Sequence, residues 1–174
     1  MIKGQTIHLR VIENTDLETV RSWYNNPSLR GTDDISMPVT VPQMEKKIKE
    51  WQNQENRFHL LLEKQNGFQI LGKITINTFH SSITLIIPQQ DADHEKAITE
   101  SLHLALRYLF FESANKAQAS IWIPSWNEWL IEIVKKFGMK PAGRLRRTGM
   151  REGCYYDHVI FDLLRSEYLE LFSG

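Results

Sequence analysis

The chain has 174 residues, and its 21 Lys and Arg balance 21 Asp and Glu to a formal net charge of zero. A hydrophobic content of 41% and a charged content of 24% exclude a disordered chain, and the balanced charge gives no long-range pull toward nucleic acid or anionic lipid. A lone cysteine, Cys154, excludes an intrachain disulfide framework; with no apolar stretch near the roughly 18 residues of a membrane span and no secretion-signal centre at the N-terminus, a cytoplasmic protein is expected.

Residues 6–11 alternate Ile7, Leu9 and Val11 with His8 and Arg10, which predicts a half-buried strand. Thr15-Asp16-Leu17-Glu18 reads as a capping box opening a helix. Leu17, Val20 and Tyr24 follow at helical spacing until Asn25-Asn26-Pro27 ends it. Residues 31–38 are polar and read as a loop, and a second helix is predicted from about Thr40, with Met44, Ile48 and Trp51 on one face. Phe58, Leu60 and Leu62 mark a strand, Gln65-Asn66-Gly67 a hairpin turn, and residues 70–79 the return strand. Residues 83–87 are nearly all apolar, as in a strand buried on both faces.

The longest helix is expected over residues 94–112, striped by Ile98, Leu102, Ala105, Leu106 and Leu109. A short strand at 120–123 stops at Pro124, and a helix carrying Leu130, Ile133, Val134 and Phe137 stops at Gly138. Two strands, at about 143–150 and 158–164, finish the chain. No repeat or low-complexity linker interrupts this order, so residues 1–174 are read as one α/β (α+β) domain.

Four stretches resemble the GNAT superfamily of N-acetyltransferases, in particular its RimJ/RimL-like branch. His8-Leu9-Arg10 with Asp16, Trp23 and Asn26-Pro27 is similar to the family's opening, and Ile70-Leu71-Gly72-Lys73-Ile74 to its central strand. Asn127 with Lys136-Phe137-Gly138-Met139 and Gly143 is similar to its second helical signature, and Tyr155-Tyr156-Asp157-His158 with Leu163-Leu164 and Glu167-Tyr168 to its tail. The resemblance implies a GNAT fold: a mixed central sheet of about seven strands flanked by about four helices. It further implies acetyl-CoA in a splay between the fourth and fifth predicted strands. The pantetheine would lie on the backbone of Leu85, Ile86 and Ile87, and the pyrophosphate on the amides of His94, Glu95, Lys96 and Ala97, where a helix opens. Asn127 matches the family asparagine that holds the cofactor arm; its place before a helical run equally predicts a cap.

The pyrophosphate turn departs from the family pattern. His94 and Lys96 stand where the family has glycines, and no glycine occurs between Lys73 and Gly138. Asp91, Asp93 and Glu95 also crowd the helix start, where carboxylates cap well but repel a diphosphate. Two readings stay open: Asp93 caps the helix and CoA binding is lost, or CoA binds through the remaining amides and Lys96. The tyrosine that serves as acid in many members falls on Val134, so that role is vacant.

His80, at the end of the third strand, is one candidate catalytic base, imidazole being the side chain that exchanges protons near neutral pH. Glu13, after the first strand, is the other. Trp126 and Trp129 read as pocket walls or as packing, and Arg144, Arg146, Arg147 and Arg151 as a site for an acidic acceptor or the CoA 3′-phosphate, or as a solvated edge. The six histidines show no paired metal spacing, so no metal is expected. The chain is thus expected to transfer acetyl from acetyl-CoA to a primary amine on a small metabolite, an amino sugar or a protein N-terminus. The alternative is a GNAT-fold binding or assembly component with lost or altered CoA binding. Neither nucleic acid nor membrane is an expected partner; a homodimer is compatible with the fold.

Overall fold

The computed structural model describes residues 1–67, 69–112 and 115–172. One eight-stranded sheet runs through it, formed by β1 (Ile2–Lys3), β2 (Ile7–Val11), β3 (Arg57–Lys64), β4 (Ile70–Asn77), β5 (Ser82–Ile86), β6 (Gln118–Pro124), β7 (Lys140–Arg151) and β8 (Cys154–Leu164). Their spatial order is β1-β2-β3-β4-β5-β6-β8-β7, and every pair is antiparallel except β5 with β6. The helices are α1 (Leu17–Tyr24), α2 (Val41–Gln52), α3 (Ala92–Arg107), α4 (Glu128–Phe137) and α5 (Arg165–Phe172). The predicted fourth and fifth strands are therefore β5 and β6.

Local signals account for most of these boundaries. Thr40 and Gln43 form a reciprocal capping box at α2, with Pro42 in the first turn. Asn127 Oδ1 accepts from the Leu130 amide at 3.2 Å to open α4, and Gly138, at φ 107°, closes it in the left-handed conformation that glycine tolerates. The entry to α1 differs from expectation. A 3₁₀ turn at Asn14–Asp16 precedes the helix, and it is Asp16, not Thr15, that accepts from an amide, that of Glu13, at 2.9 Å. Asp16 also takes a bidentate pair from Arg10, at 2.7 and 2.8 Å, tying β2 to the start of α1. The long helix ends at Arg107 and passes into a π-turn at Tyr108–Glu112. β1 and α5 were not foreseen.

Two apolar layers cover the sheet. On one face Ile74, Leu85 and Ile121 meet Ile98, Leu102 and Leu106 of α3 and Ile133 and Val134 of α4. On the other, Leu61 and Ile86 meet Val20, Trp23, Met44 and Ile48 of α1 and α2. Each such side chain removed from water contributes about 1.5–3 kcal/mol. The second layer reaches only as far as β5. There the alternation splits: Ile83, Leu85 and Ile87 enter the first core and Ile86 the second, while Ser82 and Thr84 stay half-buried at the edge of the α1–α2 cover. β5 is thus not apolar on both faces.

Candidate active site

β5 and β6 pair at two positions only, Ser82 with Ser120 and Ile83 with Ile121, and then part. β6 continues against β8 as far as Pro124–His158, and β5 stays with β4 through Lys73–Ile86. Each strand is held on its outer side, so the split leaves the inner backbone edge of β5 beyond Ile83 without a strand partner. The Ser81 carbonyl accepts from the Ser120 amide across the seam, so by alternation the backbone polar groups of Leu85 and Ile87 face this edge, while the expected third member, Ile86, turns its carbonyl toward Gly72 of β4; the side chains of all three are buried. Backbone polar groups need partners, so such an edge offers hydrogen bonds to an extended polar chain.

A cavity of about 610 Å³ opens where the two strands part, on the face that α1 and α2 leave uncovered. Ser82 and Thr84 of β5 and Ser120 and Trp122 of β6 line it, with Leu145 and Thr148 of β7 and His158 of β8 opposite and His80 and Asp33 at its rim. The Thr84 hydroxyl is buried and has no hydrogen-bond partner among the described residues, so a polar atom in the cavity is what would satisfy it.

His80 is exposed; its backbone N–H donates to Asn77 Oδ1 at 3.0 Å, and its ring meets the edge of Phe79. His158 differs. Its Nδ1 lies 2.7 Å from Thr148 Oγ1, and burial lowers its pKa, opposed by a hydrogen bond to the Gly31 backbone. Glu13 is exposed beyond the end of β2, three strands from β5, and does not line the cavity.

Asp33 arrives on the loop between α1 and α2, held in the left-handed conformation at φ 48°. Its Oδ2 receives Lys73 Nζ at 2.8 Å and Thr75 Oγ1 at 3.2 Å, and its Oδ1 receives Arg57 at 2.9 Å. Burial by itself would raise the Asp33 pKa, but the charge and hydrogen bond of Lys73, aided by Arg57, hold it down to about 2. Lys73 is fully buried, 4.2 Å from the Trp51 ring centre. Trp51 stacks on His59, whose pKa is pushed down to about 3 by burial first and by Lys73 second. The same loop is pinned at its base by Asn25, which accepts from and donates to the Val39 backbone at 2.7 and 3.1 Å.

The helix after β5 carries its own anion. Asp91, not Asp93, is the cap: its Oδ1 accepts from the His94 amide at 2.9 Å and lies 2.7 Å from His94 Nδ1. These bonds, with the Asp93 amide, hold the Asp91 carboxyl below the usual carboxylate range. The Glu95 amide bonds to the Asp91 carbonyl at 2.9 Å, and those of Lys96 and Ala97 lie a turn inside the helix. A diphosphate at this end would meet the Ala92 and Asp93 amides and compete with Asp91 for that of His94. The neighbouring acids are matched by cations: Asp93 by Lys64 at 2.7 Å and Glu95 by Lys136 at 3.4 Å. Lys96 is exposed beside them. The open β5 edge therefore fits a pantetheine-like chain, while the helix end fits a diphosphate only if the Asp91 side chain yields.

Several lining residues escape sequence reasoning. Alternation in β6 places Ser120 and Trp122 opposite Ile121 and Ile123, and that signal was present. Asp33 had none, because its position depends on how the loop folds over β4. Trp126 and Trp129 lie away from the cavity lining: Trp129 packs on the first core, and Trp126 stacks under Arg151 at 4.1 Å. Val134, at the tyrosine position, is core.

Residues 9–160 match the family model described as an acetyltransferase (GNAT) domain. An uncharacterized N-acetyltransferase, YokL, derived from the SPbeta prophage of Bacillus subtilis, is 25% identical over 173 residues, covering 95% of this chain and 93% of its own length. Among solved structures, a probable acetyltransferase superposes at a TM-score of 0.79 with 20% identity, over 94% of this chain and 96% of its own. A spermidine N-acetyltransferase from Vibrio cholerae, in complex with CoA and spermine, superposes at 0.74 with 18% identity, over 95% and 99%. With a split β5–β6 pair at the centre of its sheet and a family match across most of its length, the chain belongs to the GNAT acetyltransferases and is an N-acetyltransferase.

Proposed function

We propose that this single-domain protein transfers acetyl from acetyl-CoA to a primary amine that enters through the cavity between β5 and β8. The observation that carries the reading is the β5–β6 split, with a buried, unpartnered Thr84 hydroxyl beside it. When bound, acetyl-CoA supplies the activated acetyl thioester. The chain's part is to bind, orient and move a proton. The free edge at Leu85 and Ile87 holds the pantetheine through backbone hydrogen bonds, with Ile86 between them bonded toward β4. Lys96 and the first-turn amides of α3 hold the diphosphate after the Asp91 side chain swings away. Asn127 stays the cap of α4.

An amine attacks only when neutral. His80 is the proton acceptor that the cavity supports best, since its ring is exposed at the rim and no hydrogen bond engages it among the described residues. His158, by contrast, has its Nδ1 engaged by the Thr148 hydroxyl. The opening and tail signatures support the RimJ/RimL-like branch, and a cytoplasmic location agrees with the lack of any described helix long and apolar enough to cross a membrane.

Calorimetry with acetyl-CoA tests the reading. Binding is expected, and Lys96→Glu weakens it by about tenfold, the scale of one charge reversal beside an anion. No heat at millimolar ligand would instead leave a fold kept for binding or assembly. For His80, His80→Ala is expected to lower kcat by about tenfold or more, within the range a positioned proton acceptor contributes, with acetyl-CoA affinity little changed; an unchanged kcat assigns the proton elsewhere.

A further inference from the structure

We propose that the acceptor is a small amine that also carries an anionic group, a carboxylate or a phosphate, and not a polyamine. This rests on the acetyltransferase reading above. Among the described lining residues Asp33 is the one acid, and both its oxygens are engaged by Lys73, Thr75 and Arg57. A second ammonium group on the acceptor would therefore find no free carboxylate in the wall, and the neighbouring cations Lys73 and Arg57 would repel it.

The anionic site lies next door. Leu145 lines this cavity and also an open groove along β7, whose other walls are Arg144, Arg146 and Arg147. The β7–β8 ladder shifts register between Leu145 and Gly149, and Arg147 adopts the left-handed conformation at φ 51° with its N–H on Asp157 Oδ1 at 2.9 Å. That irregularity sets consecutive residues around one groove, where a regular strand would alternate them between faces. Arg144 is paired with Asp157 at 2.7 Å, but Arg146 and Arg147 form no ion pair among the described residues. Two guanidinium groups outside any ion pair among the described residues, each one residue from the cavity wall and Arg147's resting 5.7 Å from the Tyr155 ring centre, offer charge to a carboxylate or phosphate. The orphaned Thr84 hydroxyl is a neutral partner for the acceptor's other polar atoms. The cavity volume falls within the roughly 300–1,000 Å³ of small-molecule sites.

Two matched pairs of probes test this on the whole protein with saturating acetyl-CoA, reading CoA release: 4-aminobutyrate against putrescine, and glucosamine 6-phosphate against glucosamine. The anionic member is expected to be favoured by about tenfold or more in kcat/KM in at least one pair, mainly through KM. A preference in one pair alone identifies the anion as carboxylate or phosphate. The Arg146→Gln, Arg147→Gln double variant, altered only at exposed positions, should bring the ratio toward one by raising KM for the anionic member. Putrescine and glucosamine used as well as their anionic counterparts overturn the proposal, as does a preference that the double variant leaves unmoved. Acetyl-CoA binding without turnover of any of the four amines overturns it too, yet spares the acetyltransferase reading. Absence of acetyl-CoA binding overturns both.

Discussion

Lys73 shows how much of the site's rigidity rests on single residues. Its Nζ lies under the α1–α2 loop with Asp33 at 2.8 Å and the Trp51 ring at 4.2 Å. Removing one member of a buried pair strands the other, at a cost of about 3–5 kcal/mol. Lys73→Met is therefore expected to destabilise the fold by that order and to raise the Asp33 pKa. Combined with Asp33→Asn, the loss should be smaller than the sum of the two single losses, because the groups are coupled; urea denaturation of the four proteins measures it. His59 adds a pH dependence. It is held neutral down to about pH 3, whereas in the unfolded chain it titrates near 6.5. Between those values the unfolded state binds the extra proton, so stability is full above 6.5 and falls as the pH drops toward about 3. Asp33 adds a second loss from its ordinary 3.8 down to about 2. His59→Gln should flatten the first limb of a melting-temperature profile and leave the second.

At the scale of elements, α3 is the most informative. Its cap and its ligand compete for the same amide, so Asp91→Ala should move two observables in opposite directions. The melting temperature falls because a cap is lost, and acetyl-CoA binds several-fold more tightly because the carboxylate has gone. Asp91→Ser keeps a cap without the charge and should gain the affinity with little thermal loss. α4 ends on a firmer constraint: a Cβ at Gly138 would meet Leu171 Cδ1 at 2.6 Å and be held at φ 107°. Gly138→Ala is expected to cost about 1–2 kcal/mol or more, read as a lower melting temperature. α4 was legible because its apolar stripe, its Asn127 cap and its glycine stop all point to one answer. β1 was not, since two residues carry no period. α5 was not either; its place is set by tertiary contacts, with Tyr168 docked among His103, Phe110 and Phe172. The acceptor cavity was half legible. Strand alternation picks out Ser120, but nothing local to Asp33 says that its loop will cross β4 and find Lys73.

Over the whole molecule, zero net charge conceals an ordered arrangement. Two acids at the α3 start are matched by cations, Asp93 by Lys64 and Glu95 by Lys136, and Asp91 is engaged in the cap, whereas Arg146 and Arg147 beside the cavity form no ion pair among the described residues. Two cations outside any such ion pair thus stand beside the acceptor cavity, and raising the salt concentration should slow turnover of an anionic acceptor more than that of a neutral one. The parted strands have a mechanical consequence as well. Only two rungs join β1 to β5 with β6, β8 and β7, so the sheet is two leaves sewn by a short seam. A ligand lying in the gap acts as a missing strand and lengthens that seam. Amide hydrogen exchange at Leu85 and Ile87 should then slow on binding, with Ile86, bonded toward β4, changed least, and the two leaves should unfold as one unit where the empty protein lets them loosen separately.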